Sequence, residues 1–97
     1  MKAYYFHPEA LIEADEAAQF YEERQFDLGK RFVEALSDAL IRIRRMPDIY
    51  RKINGNISKC RVLRFPYGVI FRNQVDSIEV IAVMHLKKKP GYWKSRV

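Results

Sequence analysis

The chain has 97 residues, of which 48% are hydrophobic, and a formal net charge of +6. This length allows one domain, and the composition is that of a folded protein rather than a disordered one. Its one cysteine, Cys60, has no partner for an internal disulfide, which fits a reducing cytoplasm. The sequence has neither the apolar run of a signal peptide near its start nor the roughly 18 apolar residues of a membrane span. We therefore expect one domain over residues 1–97, located in the cytoplasm and without membrane contact.

The charge is divided unevenly along the chain. Residues 1–50 carry seven lysines and arginines against ten acidic residues, whereas residues 51–97 carry eleven against two. The two halves therefore have net charges of −3 and +9. A charge that only kept the protein in solution would be spread evenly. The second half is thus predicted to bind an acidic partner, which is nucleic acid, another anionic surface or an acidic protein segment.

The pattern near the start of the chain predicts a strand followed by a helix. Residues 2–6 alternate as a short strand does. Pro8 suits the first turn of a helix, because its missing N–H would be unpaired there anyway, and this helix is expected to run to about Arg24. Its inward face, with spacings of three and four, is expected to carry Leu11, Ala14, Ala18 and Tyr21. Its outer face is expected to carry the acidic residues Glu13, Asp15, Glu16, Glu22 and Glu23.

A second helix is expected from Asp27 to about Met46. The Asp27 carboxylate is a candidate cap, because it can accept the free backbone N–H groups of the first turn. Pro47 then ends the helix. The residues expected to face the core are Phe32, Val33, Leu36, Leu40 and Ile43, with Ala35 and Ala39 beside them. Because so few residues separate the two helices, they should form an antiparallel hairpin.

After the turn at residues 54–56 the pattern changes to the alternation of strands. Strands are expected over residues 58–65, 69–73 and 78–85. A tight turn is expected over residues 65–68, with Pro66 at its second position and Gly68 at its fourth. The predicted order is β-α-α-β-β-β. This is an α+β fold in which an antiparallel helical hairpin packs on one face of a small antiparallel sheet.

Alternation in the last strand sets the expected position of His85. Side chains of a strand point alternately to its two faces. One face would then carry Ile78, Val80, Ala82 and Met84. Since that face has no ionisable residue, it is expected to meet the helices. His85 would share a face with Glu79 and lie on the open side of the sheet or near its edge.

The candidate functional residues are cations with a histidine and aromatic residues among them. RNA cleavage needs a base, an acid and cations that stabilise the phosphorane charge, and His85 is the candidate base. The candidate catalytic residues are His85, Arg61, Tyr92 and Lys59. The candidate residues for binding nucleic acid or a partner are Lys52, Arg64, Arg72, Lys87, Lys88, Lys89, Lys94 and Arg96. The structural alternative is that His85 caps a strand, the aromatic residues hold the C-terminal segment on the sheet, and the lysines only attract a partner.

Other kinds of site are not indicated. The sequence has no glycine-rich phosphate loop. Its two histidines and one cysteine lack the spacing of metal ligands. No metal or cofactor is therefore expected, and Cys60 is expected to be a buried, inert thiol.

Several segments together resemble one protein family. Arg64–Phe71, Ile78–His85 and Lys89–Arg96 are similar to the C-terminal half of RelE/ParE superfamily toxins, the plasmid stabilisation family. Residues 8–10, 20–22, 28–32 and 43–47 agree with the N-terminal half, in the same order along the chain. Each segment is degenerate by itself, and the series covers nearly the whole chain.

The resemblance implies the toxin of a bacterial type II toxin–antitoxin module, held inactive by a small antitoxin. The uneven charge of the chain predicts that this antitoxin is acidic. Some members of the superfamily cleave mRNA on the ribosome, whereas others inhibit DNA gyrase and are not known to be nucleases. We expect a ribosome-dependent mRNA endonuclease, with a gyrase inhibitor that lacks nuclease activity as the alternative. A third possibility is a member that binds its antitoxin and the operator but has lost activity. A disordered antitoxin segment is expected to fold along the groove between helices and sheet.

Overall fold

Two helices pack on one face of a five-stranded sheet in the computed structural model, which describes residues 2–97. The elements are β1 Ala3–Phe6, α1 Pro8–Arg24, α2 Leu28–Arg45, β2 Lys52–Asn54, β3 Ile57–Val62, β4 Tyr67–Asn73 and β5 Ser77–His85, with short 3-10 turns at Pro47–Ile49 and Lys94–Arg96. The strands lie in the order β1-β5-β4-β3-β2. β1 pairs in parallel with β5, and the other neighbours are antiparallel. The predicted α+β fold and the helical hairpin are confirmed, but the sheet is mixed rather than wholly antiparallel because β1 runs parallel to β5.

One strand, β2, was not predicted from the sequence. It has three residues, all exposed, and its pairing with β3 is irregular between Lys52 and Asn54. A three-residue edge strand has no buried face, so its sequence shows no apolar alternation. It forms because the turn after Asn54 brings it beside β3.

The inward face of α1 differs from the predicted one. Its buried residues are the alanines Ala10, Ala14 and Ala17, whereas Leu11 is 51% exposed. The reason is the close approach of the two helices. A Cβ atom added at Gly29 of α2 would lie 2.5 Å from the Ala18 carbonyl oxygen. Small residues therefore form the contact face of α1.

The inward face of α2 is mostly as predicted. Phe32, Leu36, Leu40 and Ile43 are buried in the core between helices and sheet. Val33 is the exception, since it is 47% exposed and the prediction for it was wrong.

The cap of α2 comes from α1 rather than from Asp27. Asp27 has a φ of 72° and makes no side-chain cap bond. The Glu22 carboxylate instead accepts hydrogen bonds from the backbone N–H groups of Asp27 and Gly29, each at 3.0 Å. Glu22, predicted to face solvent, thus satisfies donors that the first turn of a helix leaves free.

The tight turn before β4 lies two residues earlier than predicted. Arg64 has a φ of 72° within the turn, and β4 already begins at Tyr67. Gly68 sits inside β4, opposite Arg61 of β3 and Met84 of β5. The lack of a side chain at Gly68 has a packing reason, because an added Cβ would lie 3.2 Å from the stem of Lys59.

A second apolar cluster lies on the sheet face away from the helices. Its buried members are Ile57, Ile70, Ile81, Ala82, Met84 and Trp93. Trp93 belongs to the C-terminal segment, defined here as residues 86–97, and is only 2% exposed. The C-terminal segment therefore covers part of the face that the sequence predicted to be open.

Candidate functional site

A bulge in β5 decides where His85 lies. Ile70 pairs with Ala82 and Phe71 pairs with Val80, so Ile81 is an extra residue in β5. Val80 before the bulge and Val83 after it both belong to the core under the helices. An extra residue in a strand reverses the alternation of the side chains beyond it. His85, two residues beyond Val83, is therefore on the helical side of the sheet, and the prediction that it shares a face with Glu79 was wrong.

His85 lies at the edge of a shallow depression of about 260 Å³ between α1, the end of β5 and the C-terminal segment. The centroid of its ring is 5.0 Å from that of Tyr67. Its Nδ1 atom accepts a hydrogen bond from the Lys87 backbone N–H at 3.0 Å. In the neutral ring the proton is then on Nε2. The lone pair that a general base would use is thus already occupied.

Glu13 is the centre of a polar cluster on the same side of the sheet. Its Oε1 atom accepts hydrogen bonds from the Val83 backbone N–H at 3.0 Å and from Arg96 Nη1 at 2.9 Å. Its Oε2 atom accepts from the Tyr92 hydroxyl at 2.5 Å and from Arg96 Nη2 at 3.0 Å. The two side chains of the ion pair are only 17% and 12% exposed. The cluster therefore ties the C-terminal segment to α1.

The protonation states of this cluster follow from its geometry. Burial raises the pKa of Glu13, but hydrogen bonds from Arg96, Tyr92 and Val83 outweigh burial, and the pKa lies below its ordinary value. Burial, together with the hydrogen bond and negative charge of Glu13, raises the pKa of the Tyr92 hydroxyl. Tyr92 is consequently a neutral donor to a carboxylate, which makes it a poor proton acceptor.

The same cluster protects a free edge of the sheet. β1 pairs with β5 only as far as Val80. Beyond that point the backbone of β5 is bonded by side chains, since Glu13 accepts from the Val83 N–H and Arg96 Nη1 donates to the Ile81 carbonyl at 3.0 Å. Backbone groups at such an edge can otherwise pair with another strand. Glu13 and Arg96 thus occupy the positions that a further strand would take.

Two of the four candidate catalytic residues lie on the opposite face of the sheet. Arg61 stands between Cys60 and Val62, which both point into the helical core, so its side chain points away from the helices. Lys59 lies on that same face, with its stem over Gly68. The sheet therefore separates Lys59 and Arg61 from His85, which is on the helical side.

The other candidate cations fall into paired and unpaired groups. Arg72 pairs with the buried Glu79, and Arg96 pairs with Glu13. The exposed members of this candidate set that have no carboxylate within 4 Å among residues 2–97 are Lys52, Arg64, Lys87, Lys88, Lys89 and Lys94. Arg72 and Arg96 thus have structural partners, whereas the lysines are free to meet a ligand.

Cys60 is buried, as predicted. Burial raises the pKa of its thiol, and Arg42 Nη1 lies 3.4 Å from its sulfur. The thiol is therefore protonated, and it lies away from His85 beneath α2.

The sequence prediction missed the role of Glu13. Its position directly before the buried Ala14 places it at the border of the inward face, but an acidic residue there is normal on a solvated helix. The only other indication in the sequence is the basic and aromatic C-terminal segment, because its cations need an acidic residue elsewhere in the fold to pair with.

Two further properties concern the part of the chain that the structure describes. Among residues 2–97, no group of three or more histidine, cysteine, aspartate or glutamate side chains could hold a metal ion. None of the helices in this range is both long and apolar enough to span a membrane.

The chain was compared with known families and structures. The family model described as "ParE toxin of type II toxin-antitoxin system, parDE" matches residues 4–90. The chain therefore belongs to the family of ParE toxins of type II toxin–antitoxin systems. No curated protein matches its sequence significantly. A chain of the solved structure "Chromosomal ParDE TA system from P. aeruginosa" has the same fold, with a TM-score of 0.62 and 12% identity over 88% of this chain and 96% of that one.

Proposed function

We propose that this toxin inhibits growth by binding DNA gyrase and that it does not cleave RNA. The observation that supports this choice is the separation of the candidate catalytic residues. General acid–base catalysis needs its groups within hydrogen-bond reach of one substrate, but the sheet lies between His85 and the pair Lys59 and Arg61. Gyrase inhibition therefore fits the arrangement of these residues better than the expected ribosome-dependent cleavage of mRNA does.

The hydrogen bonds of the same residues support the proposal. The lone pair of His85 Nδ1 is used by the Lys87 N–H, and the Tyr92 hydroxyl donates to Glu13. A nuclease mechanism would have to break both bonds before either group could exchange a proton with RNA. Membership in the ParE family also favours the gyrase target over mRNA.

We further propose that a small acidic antitoxin binds this toxin and inactivates it. A groove of about 580 Å³ runs between α2 and the turn before β4. Its apolar lining includes Leu28, Leu63 and Phe65, with Arg31 and Arg64 beside them. Leu63 is 53% exposed. An amphipathic segment with apolar and acidic side chains would bury these residues and pair with the arginines, although Glu34 and Asp38 on α2 limit where its carboxylates can lie.

The decisive experiment adds the purified toxin to two assays in parallel. In the first, gyrase supercoils a relaxed plasmid. In the second, ribosomes translate a reporter mRNA whose cleavage is followed by primer extension. We expect loss of supercoiling and an intact mRNA. Cleaved mRNA with normal supercoiling would reverse the choice of target.

A matched pair of variants separates the two mechanisms further. His85→Ala removes the candidate base, and Ser95→Ala changes an exposed residue of the C-terminal segment. Under the gyrase proposal both variants keep the growth inhibition of the parent. A folded His85→Ala protein that loses activity by ~10²–10⁴, as removal of a general base does, would support a nuclease instead.

A further inference from the structure

Two clefts adjoin on the sheet face away from the helices. The first, of about 260 Å³, lies at β2 and is lined by Arg51, Lys52, Ile53 and Lys59. The second, of about 320 Å³, lies between β2 and the C-terminal segment. Ile53 and Lys59 line both clefts, so the two form one continuous depression. We call it the lysine cleft.

The walls of the lysine cleft are cationic and uncompensated. The charged residues that line it are Arg51, Lys52, Lys59, Lys88 and Lys94, and no carboxylate lines it. The ion pairs found within residues 2–97 involve only Arg42, Arg72 and Arg96 as cations. A concave surface with one sign of charge concentrates counter-ions of the other sign. The cleft is therefore suited to a ligand with several negative charges.

Lys59 is the central cation of the cleft. Its stem lies over Gly68, where an added Cβ would be only 3.2 Å from the Lys59 Cγ and Cδ atoms. Gly68 thus leaves the space in which Lys59 lies along the sheet. Its half-buried stem restricts where the ammonium group can go, while Arg51 and Lys52 beside it are exposed.

The aromatic residues near the cleft do not offer a stacking surface. Trp93 is 2% exposed and its ring belongs to the apolar cluster beneath the C-terminal segment. The Tyr92 hydroxyl is bonded to Glu13, and its ring is covered by Lys88 and Arg96 at 5.3 and 5.1 Å. Proteins that hold single strands normally stack bases on exposed aromatic rings. A ligand that presents phosphates rather than bases fits this cleft better.

We propose that the lysine cleft binds the phosphate backbone of a nucleic-acid duplex without regard to sequence. This goes beyond the proposed function, because the gyrase proposal assigns no ligand to this surface. Contacts of lysine and arginine with phosphates release counter-ions, so the affinity must fall as salt rises. Five cations limit the slope of log affinity against log salt to about −4.5.

The test is a salt titration of the purified toxin with a short labelled DNA duplex of random sequence. An RNA duplex of the same sequence, run in parallel, identifies which backbone binds more tightly. Lys59→Gln should reduce the magnitude of the slope by about 1, and a second change, Lys94→Gln, should reduce it by about 1 more. The matched control is Lys30→Gln, which removes the same charge from an exposed position on α2. It should leave the slope unchanged.

Several outcomes would overturn the proposal. The first is no binding of either duplex at low salt. The second is tighter binding of single-stranded DNA or of polyglutamate than of a duplex. The third is an equal effect of Lys30→Gln and Lys59→Gln on the salt slope. The supercoiling assay keeps the two proposals apart. A toxin that binds the duplex through Lys59 but does not inhibit gyrase would refute only the gyrase proposal. Inhibition of gyrase without any duplex binding would refute only this one.

Discussion

The Glu13 cluster allows a quantitative prediction for the variant Glu13→Gln. This change keeps the size of the side chain but removes the charge that pairs with Arg96, whose side chain is 12% exposed. It also replaces one carboxylate oxygen by an amide nitrogen, which cannot accept the hydrogen bonds made to that oxygen. Either Arg96 and Val83 or Arg96 and Tyr92 then lose an acceptor.

The magnitude follows from the burial of the pair. A hydrogen bond to a charged group contributes about 1.5–3 kcal/mol, and breaking a fully buried ion pair costs about 3–5 kcal/mol. Because this pair keeps some exposure, we expect a loss of about 2–3 kcal/mol in the free energy of unfolding. For a domain of this size that corresponds to a fall of roughly 8–24 °C in Tm.

The assay is thermal and urea denaturation followed by circular dichroism at neutral pH. The control is Glu16→Gln, which changes an exposed carboxylate one turn of α1 away that makes no hydrogen bond through its side chain within residues 2–97. We expect Glu16→Gln to melt like the parent. If Glu13→Gln also melted within about 3 °C of the parent, which is less than ~1 kcal/mol, the cluster would not stabilise the fold.

The pH dependence of stability provides a second test of the same prediction. Because the pKa of Glu13 is lowered in the folded state, its ionised form stabilises the fold above the unfolded pKa of about 4.3. This contribution is lost as the pH falls through the lower folded pKa. The difference in stability between parent and Glu13→Gln should therefore be largest at neutral pH and shrink in acid. A difference that grew in acid would contradict the reasoning.

Three further predictions concern other parts of the fold. Leu36→Asp should unfold the domain, because an unpaired buried carboxylate costs several kcal/mol against a total free energy of unfolding of about 5–15 kcal/mol. Val33→Asp, on the exposed side of α2, should melt like the parent. If the two variants melted at the same temperature, the observed inward face of α2 would be refuted. Gly68→Ala should lower Tm by no more than about 5 °C, which corresponds to a loss of roughly 1 kcal/mol in stability, but it should weaken duplex binding by displacing Lys59. An unfolded Gly68→Ala protein would show that the stem of Lys59 cannot move aside. His85→Ala should keep its growth inhibition, as scored by colony counts on induction.

Much of the fold could be predicted because the signals are local. Pro8 and Pro47 mark the ends of the helical region through the geometry of the proline ring. Phe32, Leu36, Leu40 and Ile43 recur at helical spacing and are buried. The long apolar run of β5 needs only alternation and β-propensity. The concentration of cations in the second half is likewise a property of the chain itself.

The candidate site could be predicted only in part, because its geometry depends on pairings between distant residues. The register between β4 and β5 makes Ile81 an extra residue, and this one residue moves His85 to the other face of the sheet. Strand alternation read from β5 alone contains no information about its neighbour. The position of Glu13 depends on Arg96, which is 83 residues away in the chain.

What the sequence by itself determined is the class of fold, the two helices and the basic character of the second half, since each depends on spacing or composition along the chain. Only the tertiary structure decided which residues meet. It brought Gly29 against Ala18, which turned α1 onto its alanines, and it placed Lys59 over Gly68 and away from His85. The physical reason is that periodicity is set within one element, whereas a site is set by close packing and strand register between elements.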